Sequence, residues 1–478
     1  MKFTDIPELP NAKPPNSRER FAFIERISNE VGDWARMKTF STPILLVNHP
    51  RLLHELLVEK VKAFEKSYLL RFALYPLAGE GLFTSRPPLW RRQRKLMAPM
   101  FHATQLTSYA NDMVTAANRT IETWKDGQEL ALLTETTHIA MSVAGKTLFN
   151  AESFSEADEV GRALNTTLEW TSENAPSPLA LAHIIPRVML ERFADAGAPS
   201  VLAGAARGLA EKLHGPVFVP GAEGRKLRAA VSLLDNHVAD MIRERRESAE
   251  PKADLLSRLL EARDDETGEG MSDQQIRDEV LTLFVAGHET TATGLAWVIY
   301  LLCRHPEIYQ ALEAEVDAVG PNPTVADLPR LALALRVFKE ALRLYPPVFV
   351  FARQAIEDSE LGGAPIAKHM PIMVPVYAIH RKREFWPDPH TFDPNRFLPE
   401  NEAARHKLAW MPFGAGPRVC IGNHFAMMEA QLVLCRMLYH ARFESLGDER
   451  PAPFATLRPE NGVRVRVSLR KHERPSRP

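Results

Sequence analysis

The stretch from Ser272 to His305 contains no proline, carries apolar residues at helical spacing, and is stopped by Pro306. Ser272 and Gln275 stand at the two positions of a capping box, so the start is marked as well as the end. At 1.5 Å per residue such a helix extends roughly 50 Å, enough to cross a whole domain. The rest of the chain has to fold around it. Its middle is out of character. Ala286-Gly287-His288-Glu289-Thr290-Thr291 lies among Val280, Leu283, Phe284, Leu295 and Val298, and its glycine costs about 1 kcal/mol against alanine. Threonine hydroxyls can bond back to the carbonyl four residues earlier and merely bend a helix. An acid–alcohol pair such as Glu289 and Thr290, in a locally opened helix, is also a device for delivering protons. The residues alone leave both readings open.

A second stretch, Pro412-Phe413-Gly414-Ala415-Gly416-Pro417-Arg418-Val419-Cys420-Ile421-Gly422, sits just before an apolar helical run from Phe425 to Leu438. Its glycines allow a tight turn with φ > 0 and a close approach to something flat or bulky. A thiolate aimed at the following helix N-terminus is favoured by the helix dipole and by backbone N–H donors. Arg418 supplies a partner for an anion. These features describe a thiolate ligand offered to a large, planar, anionic cofactor, for which haem is the candidate. A lone cysteine before an apolar helix is more often a buried small hydrophobe, so the whole loop has to carry the case.

Composition narrows the class. The 478 residues are 45% apolar and 25% charged with a net charge of −1, ordinary for a globular protein with a large core. No basic footprint for nucleic acid shows. Cys303, Cys420 and Cys435 are too few and scattered for a disulfide framework or a C-x-x-C zinc site, and a reducing, cytoplasmic setting is expected. Met1 to Arg20 is polar and proline-bearing, so no membrane anchor or signal segment is expected.

Along the chain, residues 20–60 read as a helix, a hairpin around Thr42–Val47, and a helix after Pro50. Tyr68 to Pro88 reads as irregular, with many apolar residues for a loop. A helix opens at Trp90-Arg91-Arg92-Gln93-Arg94-Lys95, where Trp90 and Arg94 share a face. Thr137–Phe149, most of 160–245 and Asp254–Arg263 read as helical, and residues 264–270 as an exposed acidic turn. Glu340 and Arg343 pair at i, i+3 among Phe338, Leu342 and Leu344, and Pro346-Pro347 end that helix. Val348–Arg353 and Ile372–Ile379 read as strands, with a Gly362-Gly363 turn between them.

Phe413, Gly414, Gly416, Arg418, Cys420 and Gly422 together resemble the haem-binding loop of the cytochrome P-450 monooxygenases. The Ala286–Thr291 segment resembles that family's oxygen-binding motif, and Glu340-x-x-Arg343 its Glu-x-x-Arg motif. The motifs run from Trp90 to Leu457, nearly the whole chain.

The resemblance implies a mainly α fold with a smaller β-rich part, about 36–50, 348–380 and 450–470. Residues 1–478 then form a single domain. Haem b is sandwiched between the long central helix and the helix after the cysteine loop. Cys420 is then the iron ligand, with Phe413, Gly414, Gly422, Ala286 and Gly287 against the cofactor. Trp90, Arg94, Arg353 and Arg418 face its propionates, with His102 a further candidate for that task. Glu289 and Thr290 relay protons. Phe83, Val285, Val348, Phe349, Phe351 and Phe454 line the substrate pocket. Glu340, Arg343 and Arg396 clamp the cysteine loop in place. Arg91, Arg92 and Lys95 offer a basic patch to an acidic electron donor.

The implied activity is O₂-dependent hydroxylation or epoxidation of a lipophilic molecule such as a fatty acid, terpene or steroid. A monomer served by a separate ferredoxin or flavodoxin-type donor is expected, since no flavin or iron–sulfur part is seen. The region near 186–220 is longer than is usual in the family, which leaves the substrate channel open. A peroxide-driven enzyme and a haem sensor are the rival readings, and an intact Glu289–Thr290 pair argues against both.

Overall fold

The computed structural model describes the chain except residues 1, 10–18, 40–41, 150–157, 175–177, 196–198, 214–218, 220, 249–253, 265–266 and 473–478. Its axis is the helix Asp273–Arg304. The capping box forms: Gln275 N donates to Ser272 Oγ at 3.2 Å, and Ser272 N donates to Gln275 Oε1 at 3.1 Å. Pro306 does more than stop the helix. It opens the next one, Pro306–Val319, at the first-turn position where a missing N–H costs nothing.

The central helix packs against Leu132–Phe149, Ala332–Leu344 and Asn423–His440. Leu295, Trp297, Val298 and Phe284 are fully buried in this core. Gly294 matters to the packing, because a Cβ there would stand 2.9 Å from the Phe338 ring.

The β-rich part is a five-stranded sheet in the order Trp34–Thr39, Thr42–Val47, Pro371–Val374, Phe351–Ala355, Phe64–Lys66. Only the pairing of Thr42–Val47 with Pro371–Val374 is parallel. Its register places Lys66 opposite Arg353. Near the end, Pro451–Pro453 and Leu457–Pro459 form a two-stranded ribbon. Trp297 Nε1 donates to the Leu457 carbonyl at 2.9 Å, which ties this ribbon to the central helix.

Several expectations are corrected. Tyr68–Ala78 is a helix, not a loop. Tyr68, Phe72, Ala73 and Leu77 supply a buried face, Ser67 caps the start, and Pro76 and Gly79 fall late enough to end the helix instead of preventing it. The strand expected from Val348 begins only at Phe351, because the carbonyls of Pro347 and Phe349 accept from Leu457 and Tyr377 outside the sheet. Pro371–Val374 gives way after Pro375 to a helical turn, Val376–Ile379. The expected extended region near 186–220 begins inside the helix Pro178–Asp195, which runs through Pro186. The acidic turn is exposed at Thr267, Gly268 and Glu269, as expected, and Arg92 ties to it, reaching Asp264 at 3.5 Å and the Glu269 and Gly270 carbonyls at 3.2 Å. No helix of the described residues is long and apolar enough to cross a membrane.

Candidate active site

The cysteine loop is shaped by backbone bonds. Gly414 N donates to Met411 O at 3.0 Å, and Cys420 N donates to Phe413 O at 2.9 Å. Gly414 and Gly416 have φ of 73° and 68°. A Cβ on Gly416 would stand 2.0 Å from the Leu57 carbonyl oxygen, so only glycine fits. Around the Cβ positions of Gly414 and Gly422 there is open space. Cys420 keeps accessible surface while protein groups surround it, so it lines an internal opening. Burial pushes its thiol up, while the Gly422 N–H and the Arg94 guanidinium pull it down. The other two thiols are less exposed. Cys435 is fully buried and its pKa is pushed up to about 12, and Cys303 donates to the Phe443 carbonyl.

The loop is held from behind. Arg343 and Glu340 are fully buried and form a forked pair at 2.6 and 2.7 Å. Arg343 also donates to the carbonyls of His380, Pro389 and Thr391 at 2.7–3.0 Å. Arg396 Nε lies 3.5 Å from Glu340 Oε1, so the expected third member is present. His380 Nε2 then accepts from Met411 N at 2.9 Å, which carries the clamp to the root of the loop.

Four cations gather near the opening. Arg94 interacts with Cys420. Arg418 lies over the Trp90 ring at 4.5 Å. Arg353 is buried beside Arg418, and burial followed by Arg418 lowers its pKa. Lys66, opposite Arg353, is pushed well down by burial and by Arg418 and Arg353, and donates to the carbonyls of Leu82 and Phe83 at 2.7 Å each. Arg418 Nη1 is buried without a hydrogen-bond partner among the described residues. Like charges held this close with a spare donor fit a dianionic group such as the two carboxylates of haem. His102 is exposed at the start of the helix Ala103–Ile121, and none of the contacts among the described residues brings it to this cluster.

On the central helix, Ala286 is exposed and Val285, Gly287 and Thr290 half-buried, although the helix around them is buried. A Cβ on Gly287 would meet nothing within 4 Å. The helix therefore faces an opening at this turn. Thr290 Oγ1 donates to the Ala286 carbonyl at 2.8 Å, the back-bond that bends a helix. The next residue, Thr291, bonds Glu429 on the helix that follows the cysteine loop. Glu429 sits about two turns into that helix, roughly 10 Å from its start, which brings this turn and the cysteine loop to one region. Glu289 Oε1 accepts from Thr456 Oγ1 at 2.8 Å and from Arg458 at 2.7 and 2.6 Å.

The expected wall residues all keep accessible surface: Phe83 and Phe454 are 39% and 47% exposed, and Val285, Val348, Phe349 and Phe351 are half-buried. Phe83 lies 5.4 Å from Lys66, and Phe351 lies 4.7 Å from Arg353, so both border the cation cluster. Phe349 packs instead on Tyr377 and Leu457.

Lys66, Arg458 and Glu429 escaped the sequence reading. Each is a single charged residue without a local pattern. Only the strand register, the terminal ribbon and the helix packing bring them to the site.

A family model described as cytochrome P450 matches residues 6–198 and 213–466. Cyclooctatin synthase of Streptomyces melanosporofaciens is 34% identical over 90% of this chain and 85% of its own. Pentalenene oxygenase of Streptomyces avermitilis is 32% identical over 92% and 91%. The solved structure of a cytochrome P450DA heme domain superposes with a TM-score of 0.79 at 27% identity, covering 98% of both chains. With its central helix, clamped cysteine loop and cation cluster, the chain belongs to the cytochrome P450 family of haem-containing monooxygenases, enzymes that use O₂ and a redox partner.

Proposed function

We propose that Cys420, as thiolate, ligates the iron of haem b, and that residues 1–478 form one monooxygenase domain acting on a terpene-like lipophilic substrate. The carrying observation is that Cys420, the exposed one of the three cysteines, lies beside Arg94 near a group of cations in which Arg418 Nη1 has no hydrogen-bond partner among the described residues. When bound, haem supplies O₂ binding and the insertion of one oxygen atom. The balance is RH + O₂ + 2 e⁻ + 2 H⁺ → ROH + H₂O, with electrons from a separate ferredoxin or flavodoxin-type protein.

Trp90, Arg94, Arg353 and Arg418 hold the propionates, with Lys66 beside them, and His102 is the weakest of the expected contacts. Ala286, Gly287, Phe413, Gly414 and Gly422 leave flat space for the ring. Glu289 and Thr290 move the two protons inward from the central helix, and the back-bond of Thr290 parks its hydroxyl between transfers. Phe83, Val285, Val348, Phe349, Phe351 and Phe454 exclude water and seat an apolar substrate. Glu340, Arg343 and Arg396 act on the loop, not on substrate. A cytoplasmic monomer fits the composition. The terpene assignment rests on relatives named for oxygenating such molecules.

A ligand screen read by the optical shift of the haem tests the substrate class. Cyclic terpene hydrocarbons and alcohols should bind at lower concentration than fatty acids or steroids of equal size. The reverse order would refute the terpene assignment and leave the monooxygenase standing.

A further inference from the structure

We infer that Arg458 is a positioning residue that sets the carboxylate of Glu289 according to what occupies the substrate wall at Phe454. This rests on the reading of Glu289 as a proton-delivering acid, and assigns its control to the terminal ribbon.

Among the described residues the donors to Glu289 Oε1 are Thr456 and Arg458, within four residues of Phe454. Phe454 is the exposed tip of the turn, held by bonds from its own N–H to the carbonyls of Ala452 and Thr456. Between the tip and the arginine stands Leu457, which cannot yield. It is fully buried, its carbonyl accepts from Trp297, and its N–H donates to Pro347 O at 3.0 Å. Leu457 is thus a fulcrum, with the Glu289 donors on its two sides.

Thr456 Oγ1 also meets Thr293 Oγ1 at 3.3 Å, about one turn along the central helix from Glu289. The Arg458 guanidinium lies 5.7 Å from the Phe454 ring. A ligand pressing on Phe454 therefore displaces Thr456 and Arg458 before anything else in the ribbon. The Arg458 side chain keeps 22% of its surface in contact with solvent while that of Glu289 keeps 8%, so the arginine has room to swing out while the acid stays inside and only reorients.

In the held arrangement the planar fork of Arg458 and the Thr456 hydroxyl occupy Glu289 Oε1. When the tip is displaced, Glu289 turns toward Thr290 and the opening, and its proton is replaced from solvent along the gap that Arg458 leaves. His288, buried next to Glu289 and bonded to the Phe284 carbonyl at 2.8 Å, is the other titratable group facing this pair. The device ties proton entry to the presence of substrate, and so keeps electrons from being lost to peroxide in an empty site.

The test uses the holoprotein with a surrogate ferredoxin and reductase, comparing wild type with R458Q, R458K, F454A and E289Q. Two quantities are read: electron consumption without substrate, and the C–O stretch of the carbon-monoxide complex of the reduced protein with and without substrate. In wild type, substrate should shift the C–O band. R458Q should show the shifted band already without substrate and should waste electrons about tenfold faster, whereas E289Q, which loses the acid itself, should slow turnover by ~100-fold or more. R458K, which keeps the charge and loses the fork, should fall between. F454A should blunt the response of the band to substrate.

If R458Q matches wild type in both readouts while E289Q is slow, the positioning role is wrong and the relay stands. If E289Q turns over like wild type, the relay reading itself fails. Should R458Q not fold, R458K and F454A decide the question on the same two readouts.

Discussion

Lys66 and Arg353 stand directly opposite one another on neighbouring antiparallel strands, two cations in a cross-strand pair where opposite charges would be the stable choice. Arg353 is buried and Lys66 half-buried, and Arg418 adds a third positive charge beside them. An arrangement that disfavours the empty protein makes sense as a site waiting for a dianion. Lys66→Met should therefore shrink the stabilisation that haem binding adds by about 1.5 kcal/mol, the scale of one hydrogen bond to a charged group. Thermal unfolding with and without haem gives this difference. An unchanged haem-dependent gain would show that Lys66 takes no part.

The clamp behind the loop should fail as a unit. Arg343→Lys leaves Glu340 buried without its fork and frees three carbonyls, at a cost of about 3–5 kcal/mol. Denaturant unfolding measures it, and the thiolate spectral signature should weaken in parallel because Met411 loses its tie through His380. A fully stable variant with a disordered loop would separate the two effects and contradict the coupling.

Two glycines in the loop should behave differently. Gly416→Ala forces a side chain onto φ 68° and against the Leu57 carbonyl, so the cofactor-free protein should lose about 1–2 kcal/mol from the backbone alone. Gly422→Ala meets open space and should leave that stability within about 0.5 kcal/mol while weakening haem retention. Equal effects of both changes on the cofactor-free protein would be inconsistent with this packing.

Burial pushes Glu429 and Glu279 up to about 8, against a Thr291 bond and a Leu82 N–H bond respectively. Between about pH 4.5 and 8 the folded protein keeps protons that the unfolded chain releases. These groups therefore stabilise fully below that window and lose their contribution as pH rises through it, by up to about 1.4 kcal/mol per unit each. Glu429→Gln should flatten the fall in urea midpoint between pH 5 and pH 8. A slope identical to wild type would mean that Glu429 is ionised in the fold.

What the sequence disclosed was whatever it encodes locally. The central helix was legible because Ser272, Gln275 and Pro306 punctuate it, and the cysteine loop because its glycines, arginine and thiol occupy adjacent positions. Glu340 and Arg343 were legible as a pair at helical spacing. The helix Tyr68–Ala78 was misread because Pro76 and Gly79 were given the weight of breakers across the whole stretch, when they fall only at its end. Arg458 and Lys66 had no local signal at all. One reaches Glu289 across 169 positions, and the other meets Arg353 only through sheet register. His102, by contrast, was suggested by resemblance and stands exposed at the start of the helix Ala103–Ile121.

The most direct measurement is the carbon-monoxide difference spectrum of the reduced holoprotein, taken for wild type and for Cys420→Ser. Wild type should show the red-shifted band specific to thiolate ligation, and Cys420→Ser should lose it while Cys435→Ser keeps it. A wild-type protein without that band, or a Cys420→Ser protein that retains it, would contradict ligation by Cys420.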